Sequence, residues 1–127
     1  MSSSNYYHLM EKYSNLKQQT EKEKKEYETF LTKLNRVKEA LSVRGTLKRV
    51  ERNFSDGGYI DTSGTLDRGK LKECYNNLED SYEILVSIIK KTEATIENLK
   101  SKINEYTSLY NQAKTNYRNA IREASMN

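Results

Sequence analysis

Along most of the chain, apolar residues recur at alternating steps of three and four, the spacing that aligns them on one face of a helix. In the first half the run is Tyr6, Leu9, Tyr13, Leu16, Thr20, Glu23, Tyr27, Phe30, Leu34, Val37 and Leu41, interrupted only at Thr20 and Glu23. The phase then slips by one residue and continues through Val43, Leu47, Val50 and Phe54. A slip of this kind implies a local change of twist, and Gly45, a poor helix former, lies within it. A kink or a short break over residues 42–46 is the expected result. The second run is longer and unbroken: Leu71, Tyr75, Leu78, Tyr82, Leu85, Ile89, Thr92, Ile96, Leu99, Ile103, Tyr106, Tyr110, Ala113, Tyr117, Ala120 and Ala124. At roughly 1.5 Å per residue, about 60 residues of such helix would form a rod near 90 Å long.

Four of the five glycines fall between the two runs, at Gly57, Gly58, Gly64 and Gly69. Gly57-Gly58 supplies the backbone freedom for a reversal, and Asp61, Ser63 and Thr65 are suited to cap the helix that follows. The expected fold is therefore all-α, a long antiparallel two-helix hairpin of coiled-coil type. It forms a single domain over residues 1–127, with helices at about 4–52 and 67–124 and a loop at about 53–66. Charge agrees with that pairing. Arg36, Lys38, Arg44, Lys48, Arg49 and Arg52 would lie beside Asp67, Glu73, Glu79, Asp80 and Glu83. Exposed pairs stabilise by well under about 1 kcal/mol each, so they set register more than stability.

Composition narrows the function. The chain has 127 residues, no proline and no tryptophan, and ten of its aromatic residues are tyrosines against two phenylalanines. No apolar run approaches the roughly 20 residues of a membrane-spanning helix. The start, Met-Ser-Ser-Ser-Asn-Tyr-Tyr-His, has neither the basic start nor the apolar core of a Sec-type signal peptide. The single Cys74 has no partner for an internal disulfide, and one His with one Cys is a poor basis for a His/Cys metal site. The segment Asp56–Asp67 has the length of a calcium loop, but Gly58, Ile60 and Asp61 stand where ligands and the required glycine belong. His8 and Cys74 read as surface or packing residues. No nucleophile–base constellation appears, so the expectation is a protein that is not an enzyme and takes no cofactor.

The net charge of +4 raises the question of nucleic acid. The excess is dispersed: residues 1–52 carry 12 basic and 7 acidic side chains, and residues 70–127 carry 9 and 8. Lys114, Arg118 and Arg122 form a short basic stripe at steps of four, which suits a protein partner better than a nucleic-acid track. The tyrosines say more. Eight of the ten lie on the heptad seam, and tyrosine suits a thin interface because it buries a ring while its hydroxyl stays wet. A two-helix hairpin covers only one stripe of each helix, so a further helix is the expected partner, from another protein or a second copy of this chain. The candidate partner-binding residues are Tyr6, Tyr13, Tyr27, Tyr82, Tyr106, Tyr110, Tyr117, Lys114, Arg118 and Arg122. The polar positions Thr20, Glu23 and Thr92 weaken the middle of the seam, as a register-setting layer or a missing partner would.

The N-terminal Tyr6-Tyr7-His-Leu-Met-Glu-Lys-Tyr13, the long charged first helix, the central Phe54-Ser-Asp-Gly-Gly58 and the heptads through Ile96–Ile103 together resemble the WXG superfamily of type VII secretion. They resemble more closely the small helical accessory proteins that accompany LXG toxins in Gram-positive bacteria. Gly57-Gly58 stands where that superfamily has Trp-X-Gly, and Tyr75-Asn-Asn-Leu-Glu79 fits a Tyr-X-X-X-Glu export pattern but lies inside the second helix. The resemblance thus implies a cytoplasmic adaptor or chaperone that binds the helical N-terminal region of an LXG toxin, a second small helical accessory protein, or both. It implies targeting to the secretion machine, with co-export of the adaptor left open. The alternative is a self-associating structural coiled coil of the phage, tethering or cytoskeletal kind.

Overall fold

A computed structural model describes residues 2–46, 49 and 68–126. The expected loop with its Gly57-Gly58 reversal, the capping candidates Asp61, Ser63 and Thr65, the segment Asp56–Asp67, and Leu47, Val50 and Phe54 lie outside these residues. Helix α1 spans Ser3–Ala40, a 3₁₀ turn follows at Leu41–Val43, and residues 44–46 are helical again. Helix α2 spans Arg68–Met126. Among the described residues only Ser2 lies outside helix. Ser2 caps α1, its hydroxyl accepting from the Asn5 backbone N–H at 3.3 Å and its carbonyl from the Tyr6 N–H at 3.2 Å.

The start of α1 belongs with the end of α2 in one compact unit, Met1–Thr29 with Glu93–Asn127, and the rest of both helices falls in a second, Phe30–Thr92. The helices therefore pair antiparallel, and the fold is the expected helical hairpin. In the first unit the core is Ile96, Leu99 and Ala113 of α2, with Thr20 of α1. In the second it is Leu85, Ile89 and Thr92. All members of the α2 seam except Ala124 are buried or half-buried. The core is thin in both units: even Leu99 keeps 5% of its surface in contact with solvent.

Helix α1 departs from the apolar pattern in an instructive way. In the first unit the covered positions include Met10, Tyr13, Lys17, Thr20, Lys24 and Tyr27. In the second they are Leu31, Leu34, Lys38 and Leu41. Glu23, Phe30 and Val37, expected on the seam, are exposed, Phe30 by 46% and Val37 by 50%. Three lysines take seam positions, where a methylene stem covers apolar surface beneath a charged head, and the Lys24 ammonium pairs with the Glu28 carboxylate at 3.2 Å.

The irregularity at 42–46 is a tightening, not a break. The Ser42 hydroxyl donates to the Glu39 carbonyl oxygen at 2.6 Å, a back-bond that competes with the regular helix ladder. A 3₁₀ turn advances about 120° per residue against about 100° for an α-helix, so three residues swing the following chain by about 60°. That rotation leaves Val43, an expected seam residue, 49% exposed and brings Arg44 to half-burial in its place. Gly45 is exposed and helical, and a Cβ there would meet nothing within 4 Å. Gly45→Ala is therefore expected to raise stability by about 0.5–1 kcal/mol, read as a higher midpoint of thermal unfolding by circular dichroism.

The register-setting layer is not formed as expected. Thr20 and Thr92 are buried, but Glu23, the third member, is exposed. Each threonine hydroxyl donates to a carbonyl of its own helix, Thr20 to Leu16 at 2.7 Å and Thr92 to Ile88 at 2.8 Å.

Candidate partner-binding surface

In the first unit the tyrosines at positions 6, 13 and 27 of α1, and 106, 110 and 117 of α2, are all half-buried. They sit at the rim of the core, with ring area available on the outer side. Tyr7, one residue off the seam, is 47% exposed, and its ring meets that of Tyr117 at 5.9 Å between centroids with a 49° tilt. His8 stands edge-on to Tyr7 at 6.4 Å. The Glu11 carboxylate raises the Tyr7 pKa above its ordinary value, first by its negative charge and then by its hydrogen bond with the hydroxyl. Tyr7, Met10, Glu11, Ser14, Asn15 and Tyr110 line an open groove of about 460 Å³.

On α2 the basic stripe begins at Lys114, one turn after the groove residue Tyr110. Lys114 is half-buried, and Arg118 and Arg122 are exposed. Lys114 lies one turn before Tyr117, Arg118 directly after it, and Ile121, 45% exposed, one turn beyond. None of the three cationic heads has an ion-pair partner among the described residues. A second groove, on the same helix, is lined by Asn104, Thr107, Ser108, Asn111, Gln112, Thr115 and Asn116, with no charged side chain.

Tyr82 belongs to the second unit, apart from the other candidate tyrosines. The guanidinium of Arg44 stacks on its ring at 3.4 Å from the centroid, and Arg44 Nε donates to Glu79 Oε2 at 3.1 Å. This pair realises, at one point, the charge complementarity expected between Arg36–Arg52 and Asp67–Glu83. Tyr82 is thus a packing residue beneath an arginine, a role that the spacing of apolar residues did not reveal. The same unit exposes Phe30 and Val37, two turns apart on one face of α1, and Ile84 and Ile88, one turn apart on α2, with Ile84 exposed by 62%. Cys74 is exposed and free, in a shallow groove with Lys70, Glu73, Asn77, Leu78 and Ser81.

Tyr7, Ile121 and Arg44 are the residues that the seam pattern missed. Tyr7 and Ile121 stand one position off a covered site, and Arg44 enters the interface only through the 3₁₀ rotation. Among the described residues no group of three or more His, Cys, Asp and Glu side chains comes together, and no helix is long and apolar enough to cross a membrane. The fold and these surfaces define a class: a two-helix hairpin with half-buried tyrosines along its core. No protein-family model, curated protein or solved structure matches the chain.

Proposed function

We propose that this chain is a non-catalytic helical adaptor that completes its apolar faces against helices of a client protein. The observation that carries the reading is the set of large apolar side chains left in solvent beside a thin core: Tyr7 and Ile121 in one unit, Phe30, Val37, Ile84 and Ile88 in the other. A small two-helix core gains most from a further helix, and aromatic side chains are enriched where such helices dock. The resemblance of the Tyr6–Tyr13 segment and the heptads at 96–103 to LXG-toxin accessory proteins supports a specific client: the N-terminal helical region of an LXG toxin, held for type VII secretion.

Co-expression with an LXG toxin encoded beside this chain, followed by size-exclusion chromatography, tests the reading. A co-eluting complex is the expected result. Separate migration, with this chain a stable monomer, overturns it. The exposed Phe30, Val37, Ile84 and Ile88 also favour a second reading, a self-associating coiled coil. A homo-oligomer of constant size over a range of concentrations in light scattering would support that alternative.

A further inference from the structure

We infer that the Tyr7–Tyr117 end of the module takes an amphipathic helix whose apolar stripe is bordered by carboxylates. This deepens the adaptor reading and rests on it, since it names the chemistry of the helix that the surface accepts. Three observations converge on one patch of the first unit. The Tyr7 and Tyr117 rings are in contact, and Tyr7, Met10 and Tyr110 form the wall of an open groove. Ile121, exposed, extends the apolar surface one turn past Tyr117. Lys114 and Arg118 bracket Tyr117 on the same helix, Arg122 follows, and all three charges are unpaired among the described residues.

The charge pattern selects the occupant. A helix laid in a groove buries an apolar stripe and places its flanking side chains against the rim. Here the α2 rim offers cations at steps of four, the same step at which a docking helix repeats side chains on one flank. Carboxylates at that step meet Lys114 and Arg118, and the arginine fork donates two hydrogen bonds to a carboxylate. A nucleic-acid backbone fits less well, because the opposite wall carries Glu11 and Glu123 lies next to Arg122. Phosphates would meet a carboxylate across the groove, whereas a helix with acidic groups on one flank only avoids it.

Two synthetic helical peptides of about three heptads, long enough to hold helix when docked, test the inference. They share one leucine stripe and one flank of Gln, and the positions of the other flank are all Glu in one peptide and all Lys in the other. Binding to the full-length chain is followed by fluorescence anisotropy at low salt. The Glu peptide is expected to bind about tenfold or more tighter than the Lys peptide, with a preference that shrinks as salt rises. The double variant Lys114→Glu with Arg118→Glu, checked for unchanged helicity, is expected to reverse that order. Tyr7→Ala is expected to weaken both peptides alike. Equal affinities in the parent chain overturn the inference, as does an order unchanged by the double variant. Duplex DNA and phosphatidylserine vesicles run as further probes. Binding to either that outcompetes the Glu peptide also overturns it. A toxin that co-elutes with a chain indifferent to peptide charge would sink this inference and leave the adaptor reading standing. Selective Glu-peptide binding without toxin binding would do the reverse.

Discussion

Leu99→Ala is expected to destabilise the protein by about 2–3 kcal/mol and to lower the thermal midpoint by roughly 8–12 °C. Leu99 is among the most enclosed side chains of the first unit, with Ile96 one turn before it on the same face. Removing its isobutyl group costs the transfer of buried methyl groups and leaves a gap that the surroundings fill only in part. The figure sits at the lower end of the range for leucine truncations because a two-helix core has an open side toward which it can relax. Urea and thermal unfolding followed by helical circular dichroism, at fixed protein concentration, measure the effect. Ile84→Ala provides the contrast. That side chain is 62% exposed, and its truncation is expected to change stability by no more than about 0.5 kcal/mol. If Leu99→Ala melts like the parent chain, the covered stripe does not hold the first unit together.

Arg44→Glu carries the second-largest expected effect, a loss of about 1.5–2 kcal/mol. Two contacts disappear together: the guanidinium stack on Tyr82 and the bond to Glu79. The ion pair is the smaller part. The Glu79 side chain is 37% exposed, so solvent screening cuts its share to a few tenths of a kcal/mol. The stack is a planar contact at the edge of the core, where cation–π attraction reaches about 1–2 kcal/mol. The new carboxylate would also face Glu79. Arg44→Lys keeps the charge and loses the flat face, so it should recover about half of the loss. Thermal unfolding of Arg44→Ala, Tyr82→Leu, Glu79→Gln and the corresponding double variants separates the contributions. The expected coupling between Arg44 and Tyr82 exceeds that between Arg44 and Glu79. The opposite ranking would make the ion pair the principal tie.

Why the seam of α2 was more legible than that of α1, where Glu23, Phe30 and Val37 are exposed, follows from particular side chains. In α2 every covered seam position from Leu71 to Ala120 is apolar, aromatic or threonine, so the heptad stands out against a charged background. In α1 the covered stripe runs through Lys17, Lys24 and Lys38, and a pattern scored on hydrophobicity passes over them. Glu23, Phe30 and Val37, each one residue before a covered position, continue the regular series from the half-buried Leu16 and attract the register to themselves. Lysine's double character, apolar stem and charged head, is the physical reason for the error. The irregularity near Gly45 was legible as a phase slip, but the Ser42 back-bond that accompanies it is a side-chain event that periodicity does not record. Of the candidate site, the rim placement of the first-unit tyrosines was legible, since alternation of ring and aliphatic side chains on one seam sets it. Tyr82 was assigned to the same surface because the heptad gives equal weight to every tyrosine. Its cover, Arg44, is 38 positions away in sequence.

The two buried threonines have a consequence for how helices could be exchanged. Their hydroxyl groups are satisfied by carbonyls of their own helices, at Leu16 and Ile88, so neither asks anything of the chain opposite. A buried polar side chain that needs a mate across the interface acts as a lock, because every wrong neighbour leaves a bond unmade. Thr20 and Thr92 are keys turned inward. An incoming helix is admitted past them on shape alone, and the rejection of wrong helices falls to the charged and aromatic margins.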